Sequence, residues 1–381
     1  MKRVAIIGAG ISGLFIANLF LKNSNYQVTI FEKNNSINLE EGYGIQLSIN
    51  SIKLLNEIGF NKLDKREKYN PIKIDFYANE NFKKICELNI SDFNSEKFKY
   101  TTLKRSVLIN FLKKDLDTLI QTNHEVSKID QNNKFITLSF RNNKTFECDY
   151  LIISDGVFSK SKSLISNKQI SLKYYDVLAI RGSVREINDN FNDKNISLFL
   201  GSNFHYVVYP VNSNRDFNFI AIIRHKLSKE ELKNYSLFND KYFIQQILDK
   251  TPSNLKRILD KLKEVKIFPV FVSKDFYKLQ KKNIHLIGDA FFAYPPSFAQ
   301  GASQSIEGAY ELYKNIENNT EDKYLINRLN KTKMVNNRSR FNQFAFHLSN
   351  PFAIFFRNIF LKRLVRNKKF LENYLGKIYR N

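Results

Sequence analysis

Three stretches of this chain put glycines and acids where a large polar cofactor could be held. The first, GAGISG, places Gly8, Gly10 and Gly13 after the apolar run Val4–Ile7 and ahead of the helix-length apolar run Leu14–Leu21. Glycines at this spacing allow a tight turn, close approach of a diphosphate to backbone N–H groups, and packing of a helix on its strand. A second β-branched run, Val28–Phe31, ends at Glu32, about 20 residues past Gly13, where an acid can bind ribose hydroxyls. The second stretch is late in the chain. Ile284–Ile287 reads as a short buried strand entering Gly288-Asp289, then the Pro295-Pro296 turn, a small-residue loop and a helix from about Gly301. Glycine permits close backbone approach, the aspartate accepts hydrogen bonds from hydroxyls, and the helix start offers N–H groups and a positive dipole end. This suits a polyol carrying an electron-rich ring. In the third stretch, the apolar run Tyr150–Ile153 enters Ser154-Asp155-Gly156.

The elements that must position these groups follow from periodicity. Val4–Ile7, the helix behind it and Val28–Phe31 form a βαβ unit, the start of a doubly wound nucleotide fold. Tyr43-Gly44-Ile45-Gln46-Leu47 is a loop ahead of a helix over Ser51–Ile58, closed by Gly59. Residues 72–90 alternate Ile72, Ile74, Phe76 and then Ile85, Leu88, Ile90, as half-buried antiparallel strands do. Arg105 opens a helix with Val107, Leu108, Phe111 and Leu112 on its apolar side. A cation at a helix N-terminus opposes the dipole, so an anionic partner would account for it; a solvated arginine is the alternative. His124 reads as a surface residue just before a strand at Val126. Leu178–Val184, Ile196–Leu200, Tyr206–Val211 and Phe217–Ile223 read as successive strands of an inserted antiparallel sheet. Arg181, on one of these otherwise apolar strands, requires a partner if buried. Residues 228–264 are helical and polar, with Phe243, Ile247 and Leu248 for packing, and Ile267–Val272 leads back to the late glycine segment.

Composition removes several function classes. The net charge of +23 is spread with Lys and Asn along the whole chain, a global bias rather than a nucleic-acid-binding stripe. Cys86 and Cys148 are the only cysteines, with no CxxC and no Cys/His cluster, so no metal site and no disulfide framework are expected. The apolar strand begins too near the N-terminus to leave room for a signal peptide, and no apolar run reaches membrane-spanning length. The default setting is cytoplasmic. From Arg328 onward the chain is basic and aromatic, as in helices that cover a cavity, dimerise or lie peripherally on the inner face of an anionic membrane.

The late segment resembles the second cofactor motif of the single-component (group A) FAD-dependent monooxygenases, the para-hydroxybenzoate hydroxylase type, which reads GDAAHxxPPxxGQGxN. Gly288, Asp289, Ala290, Pro295, Pro296, Gln300 and Gly301 match; Phe292 stands for the His, Ala299 for the first Gly of GQG and Ser303 for the Asn. Asp155-Gly156 is similar to that family's ADGxxSxxR, with Lys162 replacing the arginine. The resemblance runs from Val4 to about Ala309. It implies an α/β fold: a Rossmann-like FAD-binding domain from residues 1–71, 99–165 and 270–327, an inserted, mainly antiparallel substrate domain from 72–98 and 166–269, and C-terminal helices over 328–381. It implies FAD as cofactor, held by Gly8, Gly10, Ile11, Ser12, Gly13, Glu32, Lys33, Gly44, Arg105, Val126, Asp155, Gly156, Gly288, Asp289, Pro296, Gly301 and Ala302. Arg181, Tyr209 and Pro296 would face the reacting ring. The implied reaction uses NADH or NADPH and O2 to hydroxylate a small aromatic or quinone-precursor-like molecule through a flavin C4a-hydroperoxide, in a monomer or homodimer. An FAD-dependent reductase or dehydrogenase of a lipid-like substrate is the alternative.

Overall fold

The computed structural model describes residues 1–37, 43–166, 172–185, 192–276 and 281–379. At its centre, Lys2–Ile7 pairs in parallel with Tyr26–Phe31 on one side and Tyr150–Ile153 on the other. Ile284–Leu286 and Ile120–Gln121 extend this parallel sheet to five strands. Val4–Ile7 and Tyr150–Ile153 are buried, as strands covered on both faces must be. The helix Ile11–Leu21 is buried nearly all round because it is enclosed by the sheet and by helices Arg105–Lys113 and Gly301–Glu317. Its sequence therefore has apolar residues on every side rather than one stripe. A meander, Val126–Gln131, Ile136–Phe140 and Thr145–Cys148, closes one edge of this layer.

The inserted unit is a seven-stranded sheet. Its order is Lys263–Ser273, Leu172–Val184, Phe217–Arg224, Phe204–Pro210, Ile196–Gly201, Lys73–Ala78, Lys84–Asn89. All its pairings are antiparallel except Ile196–Gly201 with Lys73–Ala78. Alternation assigns its two faces. Ile180, Tyr206, Phe219 and their in-register neighbours pack under helices Lys241–Asp249 and Ser253–Leu259, which bury Phe243, Ile247, Leu255 and Leu259. Ala179, Arg181, Ile220 and Tyr209 fall on the opposite face. A small sheet of Gly44–Leu47, Thr101–Lys104 and Lys68–Tyr69 joins the two units.

One helix, Glu321–Phe346, crosses the whole assembly; at 1.5 Å per residue it is about 39 Å long. Near its start the Tyr324 hydroxyl donates to the Leu286 carbonyl at 2.8 Å. Arg328, 3% exposed, donates to the Gln304 carbonyl and side-chain oxygens and pairs with Glu307 at 3.3 Å. Just past its end, His347 Nε2 lies 2.9 Å from Nδ1 of His205 on the seven-stranded sheet. The helix thus runs unbroken through the position after residue 327, where the sequence reading begins a separate tail, and it straps the parallel sheet to the inserted one.

Candidate functional site

Ile153 is flanked by Ile7 on one side and Leu286 on the other, at the carboxyl ends of three adjacent parallel strands, so the loops that follow them leave the sheet side by side. This edge is where open α/β sheets bind ligands. In the first loop Gly8 has φ +98°, and an added Cβ would lie 2.6 Å from the Ser154 carbonyl oxygen. The Ser154 hydroxyl donates to the carbonyls of Ile7 and Gly8, locking the first loop to the second. A Cβ on Gly13 would come within 2.1 Å of the Gly8 carbonyl, so close helix-strand packing demands glycine there. Gly10 is different: a Cβ would meet nothing within 4 Å. Ile11 and Ser12 open the helix, and Gly288, at φ +60°, backs onto the Ser12 hydroxyl.

Glu32 ends the second strand and braces this turn. One carboxylate oxygen accepts from the Ala9 N–H at 3.1 Å and the other from the Asn34 N–H at 3.0 Å. Lys33 follows at the exposed rim. Val126 is buried at the start of its strand. The expectation of a surface His124 fails: the ring is only 8% exposed, packs against Phe31 and Phe140, and its Nδ1 contacts the Thr122 carbonyl at 2.6 Å. Arg105 heads its helix, its N–H donating to the Tyr43 carbonyl at 2.8 Å.

In the second loop, one Asp155 carboxylate oxygen accepts from the Ser161 N–H at 3.1 Å, capping the short helix Lys160–Ser166; the other is buried without a hydrogen-bond partner among the described residues. Gly156 has φ +83°. Lys162 turns inward, its Nζ 3.5 Å from the Phe291 carbonyl; burial pushes its pKa down to about 8 against the opposing pull of Asp155. In the third loop, solvent reaches Asp289 although protein surrounds it, and this desolvation pushes its carboxyl up to about 6. Past it, Pro296–Phe298 forms one 3₁₀ turn, and Ala299 takes the left-handed conformation, φ +50°. The helix Gly301–Glu317 follows, and a Cβ on Gly301, like one on Gly10, would meet nothing within 4 Å. Ala302 is half-buried beside it. Ser303, in the position of the expected Asn, is buried, its hydroxyl accepting from the Ser48 N–H at 3.0 Å and touching the Ser51 hydroxyl.

Arg181 lies on the face of the seven-stranded sheet turned away from the helices Lys241–Asp249 and Ser253–Leu259. Its guanidinium lies 5.7 Å from the Tyr43 ring and 5.9 Å from the Phe268 ring. Tyr209 is buried nearby, burial raising its pKa, with the Arg181 charge and a Gln46 hydrogen bond pulling the other way. Gln46 also accepts from the Tyr100 hydroxyl at 2.8 Å. Asn218, opposite Tyr209 in the sheet, accepts from the Gly44 N–H at 2.6 Å and clamps that loop against the sheet. A Cβ on Gly44 would collide with Asn218 and Val211, so this glycine serves packing. Sequence reasoning missed Asn218, Gln46, Tyr100 and Phe268, because their partners lie on segments far away in sequence and no local pattern marks them. Pro296 is held from behind by its neighbour: the Ser297 hydroxyl donates to Gln343 and its carbonyl accepts from Asn342 at 3.1 Å.

Two concavities of about 420 and 250 Å³ meet at Lys104 and Asp216. Their walls are mostly charged, including Asp64, Arg66 and Arg185, and Lys104 already pairs with Asp216 at 2.7 Å. These charges are already paired with one another, so the loops at the strand ends are the better candidate. Among the described residues no group of His, Cys, Asp or Glu could hold a metal ion.

The donor set fits FAD. Two glycines open onto space, an enclosed but accessible carboxylate stands beside a helix start, and an unpaired carboxylate oxygen lies in the next loop. Comparison with known proteins agrees. Salicylate hydroxylase of Pseudomonas putida is 23% identical over 347 residues, spanning 81% of this chain and 75% of the relative. The 6-hydroxynicotinate 3-monooxygenase of Pseudomonas fluorescens is 21% identical, spanning 80% of each. The fold matches Klebsiella pneumoniae HpxO complexed with FAD and uric acid at a TM-score of 0.85 and 16% identity, covering 98% of this chain and 97% of that one. With the FAD binding domain description matching residues 1–323, the chain belongs to that family and is an FAD-dependent monooxygenase.

Proposed function

We propose that this chain hydroxylates a small, electron-rich aromatic molecule, with NADH or NADPH as reductant and O2 as oxygen donor. The observation that carries the reading is the pair of open glycines, Gly10 and Gly301, flanking the enclosed carboxylate of Asp289. In this assignment the diphosphate lies on Gly8 to Gly13 and the N–H groups of Ile11 and Ser12. Glu32 and Lys33 take the ribose end, Val126 the adenine through its backbone, and Arg105 the phosphates. Asp155 and Gly156 line the middle, Gly288 lets the backbone approach, and the Asp289 carboxylate accepts from the ribityl hydroxyls. Pro296, Gly301 and Ala302 border the ring, with Gly44 at its rim. Bound FAD supplies hydride acceptance and oxygen activation, so the protein's task is to position, desolvate and stabilise charge. The start of helix Gly301–Glu317 favours negative charge developing beside it without a charged side chain.

Arg181 and Tyr209 face the substrate in this reading. A guanidinium over two aromatic rings, beside the apolar patch of Val177, Ala179, Ile222 and Ile220, suits a planar molecule with an anionic or phenolic edge. The named substrates of the relatives, salicylate and 6-hydroxynicotinate, have this character. The lipid-directed reductase alternative is not favoured. We assign FAD to segments 1–71, 99–165 and 270–327 and substrate to 72–98 and 166–269, with helix Glu321–Phe346 as the strap.

The test is oxygen uptake coupled to NADH or NADPH oxidation across a panel of hydroxybenzoates, hydroxypyridines and phenols. Substrate-stimulated uptake with one atom of labelled O2 in the product is expected, and Arg181→Met should raise KM more than it lowers kcat. Nicotinamide oxidation that reduces a ring without oxygen incorporation would overturn the reading.

A further inference from the structure

The helix Pro351–Leu364 is built inside out. It carries four phenylalanines at helical spacing, and all of them face solvent: Phe352 at 78% exposure, Phe355 at 60%, Phe356 at 54% and Phe360 at 58%. Its one buried side chain is charged: Arg357, 7% exposed, points into the protein, with Nε and Nη2 donating to the Asn358 side-chain oxygen at 3.0 Å. A surface helix ordinarily does the reverse, because burying an arginine and leaving a phenyl ring in water both cost free energy. The helix is not loosely attached. Asn350 caps it through the Phe352 and Ala353 N–H groups, and Leu361 and Val365 pack on the core below. Phe341 and Phe344, just ahead of the turn into this helix, are exposed as well.

The charge around this face is of one sign. Lys362, Arg363, Arg366, Lys368 and Lys369 follow the aromatic stripe and are exposed, and no acidic residue occurs between Asp322 and Glu372. A second copy of the chain docking face to face would set these cations against one another. An anionic bilayer complements both features, taking phenyl rings at the headgroup boundary and lysines and arginines at its charged surface. No described helix is long and apolar enough to cross a membrane, so the element lies on the surface rather than spanning it. We propose that helix Pro351–Leu364 and the basic segment after it dock this enzyme on anionic phospholipid bilayers, inserting Phe352, Phe356 and Phe360.

The test uses full-length holoprotein and sedimentation with phosphatidylcholine vesicles, with and without phosphatidylglycerol. Binding that requires phosphatidylglycerol and is released at high salt is expected. Phe352→Ser/Phe356→Ser/Phe360→Ser should lower vesicle partition by roughly tenfold or more while FAD absorbance per chain is unchanged. Lys362→Glu/Arg363→Glu/Arg366→Glu should also release the protein, whereas the same charge change at Lys229, Lys233 and Lys241, on a remote helical surface, should have little effect. The chain contains no Trp, so Phe356→Trp adds a single reporter whose emission should shift to the blue when vesicles are added. Equal losses from the two charge sets, undiminished binding by the phenylalanine variant, or no spectral shift would overturn the proposal. A concentration-dependent dimer that the phenylalanine substitutions dissociate, with no vesicle binding in the parent, would assign the face to a second copy instead.

Discussion

A Cβ on Gly13 would sit 2.1 Å from a backbone oxygen, while a Cβ on Gly301 would meet nothing within 4 Å. The two glycine segments that line the cleft therefore hold glycine for different reasons. In the N-terminal turn, Gly8 and Gly13 are hemmed in by Ser154 and by each other, so the fold itself requires them. In the late segment, the protein leaves Gly301 unconstrained, and only a ligand lying against the helix start gives it a role. Gly10 belongs sterically with Gly301 although it sits in the first turn. Substitution can separate the two demands, because a fold-required glycine fails in the apoprotein and a ligand-required one fails only when FAD is added.

The largest expected effect is from Gly13→Ala. The new methyl must displace the Gly8 carbonyl or the helix Ile11–Leu21, and overpacking of this kind costs up to about 3 kcal/mol. A large fall in Tm, with and without FAD, is the expected result. A variant with normal Tm that had merely lost flavin would move Gly13 into the ligand-required class.

Asp289 comes next. Charge-assisted hydrogen bonds that its carboxylate accepts from ribityl hydroxyls are worth roughly 1.5–3 kcal/mol, so Asp289→Ala should weaken FAD correspondingly while the apoprotein stays folded. The apoprotein also has a pH signature. Because burial raises this carboxyl to about 6 in the folded state, from an ordinary value of 3.8, the folded chain takes up the proton first on acidification. The stability so gained is fully present below 3.8 and is lost as pH rises through about 6. Asp289→Asn should flatten that limb of the apoprotein Tm profile, and an unchanged profile would show that the carboxyl titrates normally. Gly301→Val should have a smaller effect: apoprotein stability within about 0.5 kcal/mol of the parent, but FAD affinity and flavin reduction impaired by crowding. A lowered apoprotein Tm would place Gly301 with Gly13.

The same division explains what was legible in the sequence. The βαβ unit, the glycine turns, Glu32, the Asp155 loop and the inserted strands are local patterns in which neighbours in the chain are neighbours in space. The Asn218 clamp on Gly44, the Gln46–Tyr100–Tyr209 cluster and the Arg328 network with Gln304 and Glu307 join positions far apart in sequence, and nothing local announces them. A histidine beside a strand start looks polar on paper, whereas Phe31 and Phe140 box His124 in, a contact that no local pattern announces. Composition changes at residue 328, which suggests a boundary there, but the helix Glu321–Phe346 continues through it. The tail's aromatic and basic content was plain, but its inverted orientation, with Arg357 inward and four phenylalanines outward, appears only in three dimensions.

The smallest expected effect tests a departure from the family pattern within the late segment. Ala299 stands where the pattern has glycine, yet it keeps the left-handed conformation, φ +50° and ψ 33°, that the turn after Pro296–Phe298 requires. Its N–H donates to the Pro296 carbonyl at 3.0 Å, so the geometry is fixed by the turn and not by residue preference. For a residue with a Cβ this conformation costs about 1–2 kcal/mol, whereas a glycine adopts it freely and gives back about 0.5–1 kcal/mol through its more flexible unfolded chain. Ala299→Gly should therefore raise stability by a net of about 0.5–1 kcal/mol, read as a small rise in Tm of both apoprotein and holoprotein. Ala299 is half-buried. If the methyl packs usefully against its neighbours, the gain vanishes, and a fall in Tm would mean that packing outweighs the strained backbone. A gain only in the holoprotein would instead show that FAD binding drives Ala299 into the left-handed turn, making this position, like Gly301, one that the ligand rather than the fold controls.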